Sequence, residues 1–435
     1  MSFDRRQFLS RSALTASALA APALTVAAAS PAAATPAPVH HGEAAAQGHG
    51  QVTPAADLLA ADEWQHLRGR KLGILTNPTG VLRDQTHIVD SMVAAGLTPT
   101  AVFGPEHGFR GTAQAGGSEG DYLDPRTQIP VYDAYGATAE KLAGLFTKSG
   151  IDTLLFDIAD VGSRFYTYIW SMYTAMQAAV LTGTSVVVLD RPNPVGGRPF
   201  GPMLDPAFAS GVGRKPIVQQ HGMTVGELAQ LFDAEFLPDD AGGRLDSLEV
   251  VRLRGWRRDQ LFSRTGLHWV LPSPNMPTPQ TALVYPGTCL FEGTVFSEGR
   301  GTTRPFEIIG APGIDWRWAE ALNAAGLPGV RFREHYFVPT FSKWVNETCG
   351  GVQVHITDEE RVDAIRTAVT MIVTAKQVHP DVFGWRPDNY IDKLSGSDRL
   401  RLMVNAGAGA DEVIGAWRGE LAAFAKLRER YLIYR

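Results

Sequence analysis

The chain has 435 residues, which is too long for one ordinary hydrophobic core, so we expect two folded domains. Hydrophobic residues make up 44% of it and charged residues 20%, a composition typical of globular proteins and not of disordered chains. The formal net charge of −5, with no run of Lys and Arg, argues against a nucleic-acid partner, because such partners are bound largely through their phosphates.

The N-terminal residues indicate export. Asp4–Ser10 (DRRQFLS) is similar to a twin-arginine signal, with Arg5 and Arg6 as the pair, and an Ala/Leu-rich stretch and the small residues SPAAA follow. We therefore assign residues 1–34 to a signal peptide and the Ala/Pro/Gly/His-rich residues 35–56 to a flexible linker. The mature protein is then expected in the periplasm, outside the cell or at the cell wall. No later apolar stretch is long enough to span a membrane.

Residues 57–276 alternate between apolar strands and helices. Strands are predicted at Lys71–Asn77, Thr100–Gly104, Asp152–Asp160 and Thr184–Pro194. Helices are predicted at Asp84–Leu97, Ala137–Gly150 and Ile169–Gly183. Continuous apolar strands separated by helices predict a parallel sheet covered on both faces, so we expect an α/β domain with a Rossmann-like, doubly wound sheet.

Polar residues follow each of these strands. They are Asn77, Glu106, His107, Asp157, Asp160, Asp190 and Arg191. Because the carboxyl ends of parallel strands meet at one edge of a sheet, where ligands bind, these residues are candidates for a single site. Neither GxGxxG nor GxxxxGK[ST] is present, so no nucleotide cofactor is expected.

The segment AVFGPEHGFRG contains the most unusual of these strand ends. Pro105 lacks a backbone donor and ends the strand, and the glycines on either side permit a tight turn. The turn is therefore predicted to place Glu106 at the edge of the site, with His107 beside it.

Two further loops carry candidate substrate contacts. In DIADVGSRFYTYIW, Arg164, Tyr166 and Tyr168 favour a sugar-binding wall, because aromatic rings pack on sugar faces and Arg binds anions. The alternative is that Asp160 caps a helix and pairs with Arg164.

In LDRPNPVGG, Asn193 joins the two polar residues that end the fourth strand, on a Pro-rich loop that contacts substrate or serves as scaffold. His221 precedes a helix that starts with a capping box, Thr224 and Glu227. A role in the site and a role in packing are both open for His221.

Residues 277–435 are expected to form a smaller α+β domain that completes the cleft. Its predicted elements are a strand in GVQVHIT and helices at Glu360–Gln377 and Asp411–Tyr431. A Gly-rich segment carries the polar residues Glu292, Glu298, Arg300, Thr302, Arg304 and Glu307. It is either a ligand-binding loop or a surface network of ion pairs. Two cysteines, Cys289 and Cys349, lie sixty residues apart, and without CxxC or HExxH no metal site is expected.

Six motifs occur in order between about residue 70 and the C-terminus: GPEHGFRG, DIADVGSRFYTYI, LDRPNPVGG, HGMTVGELA, PSPNMPT and EGTVFSEGRGTTRPFEIIGAP. Together they resemble the exo-β-N-acetylmuramidase (NamZ) family, long known only as a domain of unknown function. The resemblance implies a Rossmann-like domain, a smaller C-terminal domain and an active site in the cleft between them. It also implies release of N-acetylmuramic acid from the non-reducing end of peptidoglycan fragments. One departure is Ala159, because the family more often has DIQDVG at this motif.

The resemblance implies that Glu106, in the GPEHG motif, is the catalytic acid. Hydrolysis of a glycosidic bond usually needs a second group, for which Asp157, Asp160 and the substrate's own 2-acetamido group are the alternatives. The lactyl carboxylate of muramic acid requires a cation. The candidates are Arg164, Arg191, Arg300 and Arg304, and the remaining predicted substrate contacts are Asn77, Tyr166, Tyr168, Asp190, Asn193, His221, Asn275 and Glu292.

Two functions of other classes are also compatible with the sequence. A non-catalytic muropeptide-binding protein would keep the arginines and tyrosines and have no need of Glu106. A metal-dependent hydrolase would use Asp157, Asp160 and His107, and a chelator would inactivate it.

Overall fold

A seven-stranded sheet forms the centre of the fold in a computed structural model of the protein, which describes residues 51–435. The strands of this part of the chain are β1 (Leu72–Thr76), β2 (Ala101–Gly104), β3 (Tyr122–Leu123), β4 (Pro130–Asp133), β5 (Thr153–Asp157), β6 (Ser185–Leu189), β7 (Phe200–Met203), β8 (Val218–Gln220), β9 (Leu248–Val251), β10 (Ile308–Ala311), β11 (Val330–Phe337) and β12 (Cys349–Ile356). The predicted signal peptide and most of the predicted linker lie outside the described residues.

The α-helices of the same part of the chain cover the sheets and connect their strands. They are α1 (Ala55–Ala60), α2 (Ile88–Ala94), α3 (Ala139–Ser149), α4 (Tyr168–Thr182), α5 (Val225–Glu235), α6 (Leu237–Ala241), α7 (Pro279–Thr288), α8 (Trp316–Ala324), α9 (Ala364–Val378), α10 (Tyr390–Ser395), α11 (Arg399–Asn405), α12 (Ala410–Gly415) and α13 (Arg418–Arg428). Among residues 51–435, no helix combines the length and the apolar character that crossing a membrane requires.

The central sheet has the order β3-β4-β2-β1-β5-β6-β9, and every pair except β3–β4 is parallel. Numbered among themselves, the six parallel strands follow the order 3-2-1-4-5-6, which is the Rossmann arrangement. The predicted α/β class and doubly wound sheet are therefore confirmed. The order reverses between β1 and β5, so a crevice at the carboxyl ends of the strands is expected next to these two.

The four predicted strands correspond to β1, β2, β5 and β6, all of which are almost entirely buried. Helix α5 begins with the predicted capping box, in which the Thr224 side chain and the Glu227 side chain each satisfy a backbone N–H of the other residue. The folded chain begins earlier than the predicted linker end at residue 56, because Val52 is buried against Leu253 and Trp256 and α1 starts at Ala55.

The C-terminal part (residues 277–435) contains an antiparallel three-stranded sheet in the order β10-β12-β11. The predicted strand in GVQVHIT is part of β12, and the first predicted helix is α9. The second predicted helix is two helices, α12 and α13, which are separated at Ala416 and Trp417. Cys289 and Cys349 are both buried and do not form a disulfide. Buried residues of this part and of the central sheet belong to one hydrophobic cluster, so the two parts share a core.

Gly287 is required where α7 packs against α9. A Cβ at this position would lie 1.8 Å from the Ala364 carbonyl oxygen and 2.9 Å from the Ala368 Cβ. We expect Gly287→Ala to lower the free energy of unfolding by about 1–3 kcal/mol, measured by urea unfolding, because the two helices must separate. Gly144→Ala in α3 is the matched control, since no atom lies within 4 Å of its added Cβ. It should leave stability unchanged or raise it by roughly 0.5–1 kcal/mol. Equal urea midpoints for Gly287→Ala and Gly144→Ala would contradict the close packing of α7 against α9.

Candidate active site

One cavity of about 910 Å³ opens between the carboxyl ends of the parallel strands and the C-terminal part. Its wall includes the predicted site residues Glu106, His107, Tyr166, Tyr168, Asn275, Glu292 and Arg300. It also includes residues for which the sequence analysis predicted no role, among them Tyr135, Thr167, Thr174, Gln177, Arg214, Tyr285 and Tyr390. The structure thus brings together part of the predicted site and adds side chains from α4, α7 and α10 and from the loops that carry Tyr135 and Arg214.

The GPEHG turn is held in a strained backbone conformation. His107 has φ +72° and Gly108 has φ +86°, both in the left-handed region that few side chains tolerate. The His107 N–H donates to the Gly117 carbonyl at 3.0 Å, and its ring Nδ1 lies 3.1 Å from the Ala113 carbonyl oxygen. His107 therefore closes the loop around the turn with both its backbone and its side chain.

Glu119 fixes the same loop from inside. Its carboxylate accepts hydrogen bonds from the N–H groups of Phe109 at 2.9 Å and Thr112 at 2.9 Å. Burial raises the pKa of the Glu119 carboxyl, but hydrogen bonds from Thr112, Tyr122 and the Arg110 N–H outweigh it and hold the pKa below its usual value. A Cβ on Gly108 would lie 2.1 Å from the Glu119 side chain, so glycine is required at this position.

The Glu106 side chain reaches from this turn into the cavity. Its Oε1 accepts a hydrogen bond from the Gly116 N–H at 2.9 Å, and its Oε2 lies 3.1 Å from the hydroxyl of Thr167, at the start of α4. No Lys, Arg or His side chain of the described chain forms an ion pair with Glu106. The carboxyl group is thus oriented by two neutral groups.

A second carboxyl group enters the cavity from the C-terminal part. Arg300 donates to the Glu292 Oε1 at 2.8 Å and also lies 3.3 Å from a Glu298 oxygen. Lys343 lies 3.0 Å from the other Glu298 oxygen, so two cations and two carboxylates form one cluster. Burial raises the pKa of Glu292, and the Arg300 guanidinium opposes that rise.

Aromatic rings line the same cavity as these two carboxyl groups. The Tyr166 ring is perpendicular to those of Tyr168 and Tyr285, with centroids 5.3 Å and 5.7 Å away. Tyr285 in turn contacts Phe306 at 4.7 Å. This arrangement matches the apolar face that a sugar ring requires.

The aspartates at the ends of the central strands lie outside this cavity. Asp157 is fully buried and accepts two hydrogen bonds from Arg191, at 2.5 Å and 2.7 Å. Asp160 accepts from the His221 Nε2 at 3.0 Å, and the His221 Nδ1 accepts from the Met223 N–H, which fixes the ring's tautomer. Asp160 and Arg191 line a second, smaller cavity beside Trp269. Asp157 and Asp160 were predicted as catalytic groups of the cleft, but neither aspartate lines the large cavity.

Asp190 and Asn193 are also held in the interior. Asp190 is fully buried, and its carboxylate accepts hydrogen bonds from four donors, including the Gly226 N–H at 2.9 Å and the Tyr434 hydroxyl at 2.6 Å. Asn193 bonds the backbone of Met223 and Val195. These contacts support the scaffold interpretation of the LDRPNPVGG loop.

Three further predicted contacts lie away from the cavity wall. Arg164 is fully buried and donates to the carbonyl oxygens of Pro202, Ile217 and Leu394, so it neither faces the cavity nor pairs with Asp160. The Asn77 Oδ1 accepts from the backbone and the hydroxyl of Thr79. Arg304 pairs with Glu307 at 3.4 Å, as the alternative of an ion-pair network expects.

The residues of the metal-hydrolase alternative do not meet. Asp157 binds Arg191, Asp160 binds His221, and the His107 ring faces the carbonyl of Ala113. In the described part of the chain, no three His, Cys, Asp or Glu side chains converge as ligands of a metal ion would.

Comparisons with known proteins agree over almost the whole described chain. The N-terminal model of the exo-beta-N-acetylmuramidase NamZ family matches residues 72–280, and its C-terminal model matches residues 283–434. The chain is 44% identical over 387 residues to the peptidoglycan beta-N-acetylmuramidase NamZ of Bacillus subtilis (strain 168), covering 88% of this chain and 92% of that protein. Two crystal structures of DUF1343 family proteins from Bacteroides fragilis are similar in fold. One has a TM-score of 0.79 at 31% identity, covering 88% of this chain and 99% of its own. The other has a TM-score of 0.71 at 30% identity, covering 89% and 99%.

The buried pair of Asp157 and Arg191 permits a stability test. We expect Arg191→Met to lower the free energy of unfolding by about 3–5 kcal/mol, because it leaves a buried carboxylate without its cation. Asp157→Leu combined with Arg191→Met should recover part of that loss, as a double-mutant cycle in urea measures. The control is Arg257→Met in the exposed pair with Asp259, where the loss should stay below about 1 kcal/mol. Equal losses of unfolding free energy in Arg191→Met and Arg257→Met would contradict the assignment of Asp157 and Arg191 as a buried ion pair.

Proposed function

The chain belongs to the exo-beta-N-acetylmuramidase NamZ family, and we propose that it hydrolyses the β-glycosidic bond of a terminal N-acetylmuramic acid. The substrate is the non-reducing end of a peptidoglycan fragment, and the reaction serves turnover of the cell wall. The observation that carries the proposal is that Glu106 and Glu292, from the two parts of the chain, line one cavity whose wall also contains tyrosines.

Glu106 acts as the general acid. The rigid turn, the Gly116 N–H and the Thr167 hydroxyl hold its carboxyl group toward the cavity. In the reaction its proton passes to the glycosidic oxygen as the bond to the sugar's anomeric carbon breaks.

Glu292 acts as the second carboxyl group. The Arg300 guanidinium favours its ionised form against the effect of burial, and the ionised form is the one that assists attack at the anomeric carbon. We assign this role to Glu292 in place of Asp157 and Asp160, because Asp157 is occupied by Arg191 and neither aspartate lines the cavity. The 2-acetamido group of the substrate is the rival for the same role.

Two substrates with different leaving groups distinguish the role of Glu106 from the role of Glu292. On the disaccharide MurNAc-β-1,4-GlcNAc, both Glu106→Gln and Glu292→Gln should lose at least about 100-fold in kcat. On p-nitrophenyl-β-MurNAc, whose leaving group needs no proton, Glu106→Gln should recover most of the wild-type rate and Glu292→Gln should not. Released sugar and p-nitrophenol are the readouts.

The rival functions give different results in the same assay. If Glu292→Gln keeps its rate on both substrates, the acetamido group supplies the second function and the role of Glu292 is refuted. Binding without release by the wild type would identify a muropeptide-binding protein. Loss of release with EDTA, restored by a divalent metal, would identify a metal-dependent hydrolase.

We also propose that the protein is exported by the twin-arginine route, which agrees with a substrate in the cell wall. The proposal is supported by the Arg5–Arg6 pair, the apolar stretch after it and the small residues before the linker. Replacing both arginines by lysine should keep the full-length chain inside the cell, as fractionation and immunoblotting would detect. Unchanged export of this variant would refute the route, and Arg11→Lys serves as the matched control.

A further inference from the structure

The cavity wall contains a cationic side chain that belongs to none of the six sequence motifs and has no role in the proposed chemistry. Among the described residues, the arginines that line it are Arg300 and Arg214. The Arg300 charge is matched by Glu292 and Glu298. Arg214 forms no ion pair with the described chain, so it is the guanidinium available to an anionic ligand.

Neutral groups hold Arg214 in position. It donates to the Thr174 hydroxyl and, at 3.2 Å, to the Gln177 amide oxygen, and it lies 5.3 Å from the centroid of the Tyr173 ring. A guanidinium carries five N–H donors, so these two bonds leave further donors for a ligand. The contact of the guanidinium with the Tyr173 ring helps to hold them in place.

The carboxylate of Asp240 is attracted by the Arg214 charge but forms no ion pair with Arg214 among the described residues. One Asp240 oxygen accepts from the Lys215 ammonium at 2.5 Å and the other accepts from the Tyr173 hydroxyl at 2.7 Å. Lys215 thus supplies the counter-charge of Asp240, and the charge of Arg214 remains for the cavity.

Helix α4 sets the distance between Arg214 and the catalytic centre. Thr167, Ser171, Thr174 and Gln177 all line the cavity, at spacings of four, three and three residues that place them on one face of the helix. Thr167 contacts Glu106, and Thr174 contacts Arg214. Seven residues at 1.5 Å each separate the two contacts by about 10 Å along the helix axis. One sugar ring and a short acidic arm span such a distance.

We propose that Arg214 binds the lactyl carboxylate of the terminal N-acetylmuramic acid through charge-assisted hydrogen bonds and thereby selects this sugar. The inference rests on the proposed function, whose site it shares. Arg214 takes the place of the four arginines that the sequence suggested for binding this carboxylate. Arg164 is buried on carbonyl oxygens, and Arg191, Arg300 and Arg304 are paired with Asp157, Glu292 and Glu307.

The test pairs a change in the protein with the matching change in the substrate. Wild type should lose roughly tenfold to a hundredfold in kcat/KM when the lactyl carboxylate of MurNAc-β-1,4-GlcNAc is converted to the neutral amide. Arg214→Met should lose as much on the acid and no longer distinguish acid from amide. Arg214→Lys should retain part of the discrimination, because it keeps the charge without the planar fork.

A matched control and a binding measurement keep the result interpretable. Arg126→Met makes the same charge change at a side chain that is 71% exposed, and it should discriminate as wild type does. Calorimetric titration with N-acetylmuramic acid and its amide should give the same pattern in Kd, whether or not the protein cleaves the disaccharide. Absence of cleavage together with this Kd pattern would refute the proposed function and leave the role of Arg214 intact.

Two outcomes would overturn the inference. Equal losses on acid and amide in Arg214→Met, with folding unchanged by circular dichroism, would show that Arg214 does not touch the carboxylate. The second outcome compares two substrates of Arg214→Met, the free acid and the disaccharide whose lactyl group is amide-linked to alanine. A larger loss of kcat/KM on the alanine-linked disaccharide would show that Arg214 binds a peptide carboxylate instead.

Discussion

The frame of the site depends on the buried ion pair between Asp157 and Arg191, because it joins the ends of the adjacent parallel strands β5 and β6. The same guanidinium donates to the Val81 carbonyl at 2.9 Å, in the segment that follows β1, so one side chain fixes three segments at the point where the strand order reverses. The bond between Asp160 and His221 ties the chain after β5 to the chain after β8. Arg191 and His221 thus tie these segments together at the centre of the sheet edge, and the groups proposed for chemistry lie beside it.

The central sheet could be predicted because its inner strands are continuous apolar runs. Strands β4 (PVYD) and β9 (LEVV) were not predicted, and both are partly exposed, so their sequences mix polar and apolar residues. The C-terminal helix was predicted as continuous because Val413, Trp417 and Phe424 keep helical spacing and are buried. The chain nevertheless breaks after Gly415, a residue that weakens a helix, and apolar spacing alone does not report such a break.

The site was predictable where a motif carries its own local geometry. The turn that holds Glu106 is encoded within a few residues by Pro105 and its flanking glycines, and Glu292 and Arg300 lie in one Gly-rich segment. In the sequence, Asp157, Asp160 and Asp190 look as suitable for catalysis as the two glutamates. Their hydrogen-bond donors, however, come from distant parts of the chain, as far away as Tyr434. Sequence spacing does not show which acids are satisfied internally. Arg214 was not predicted because it follows no strand and belongs to no motif; only the pair of glycines before it marked the loop.

The last residues of the chain complete hydrogen bonding far from their own position in the sequence. The Tyr434 hydroxyl donates to Asp190, directly after β6 of the parallel sheet, and the N–H of Ile433 donates to the buried Glu227 carboxylate at 2.8 Å. Loss of these two groups would remove a donor from each of two buried carboxylates, which costs more than the loss of an exposed hydrogen bond. A change at residues 433–434 is therefore felt at the edge of the central sheet, more than 200 residues away in the sequence.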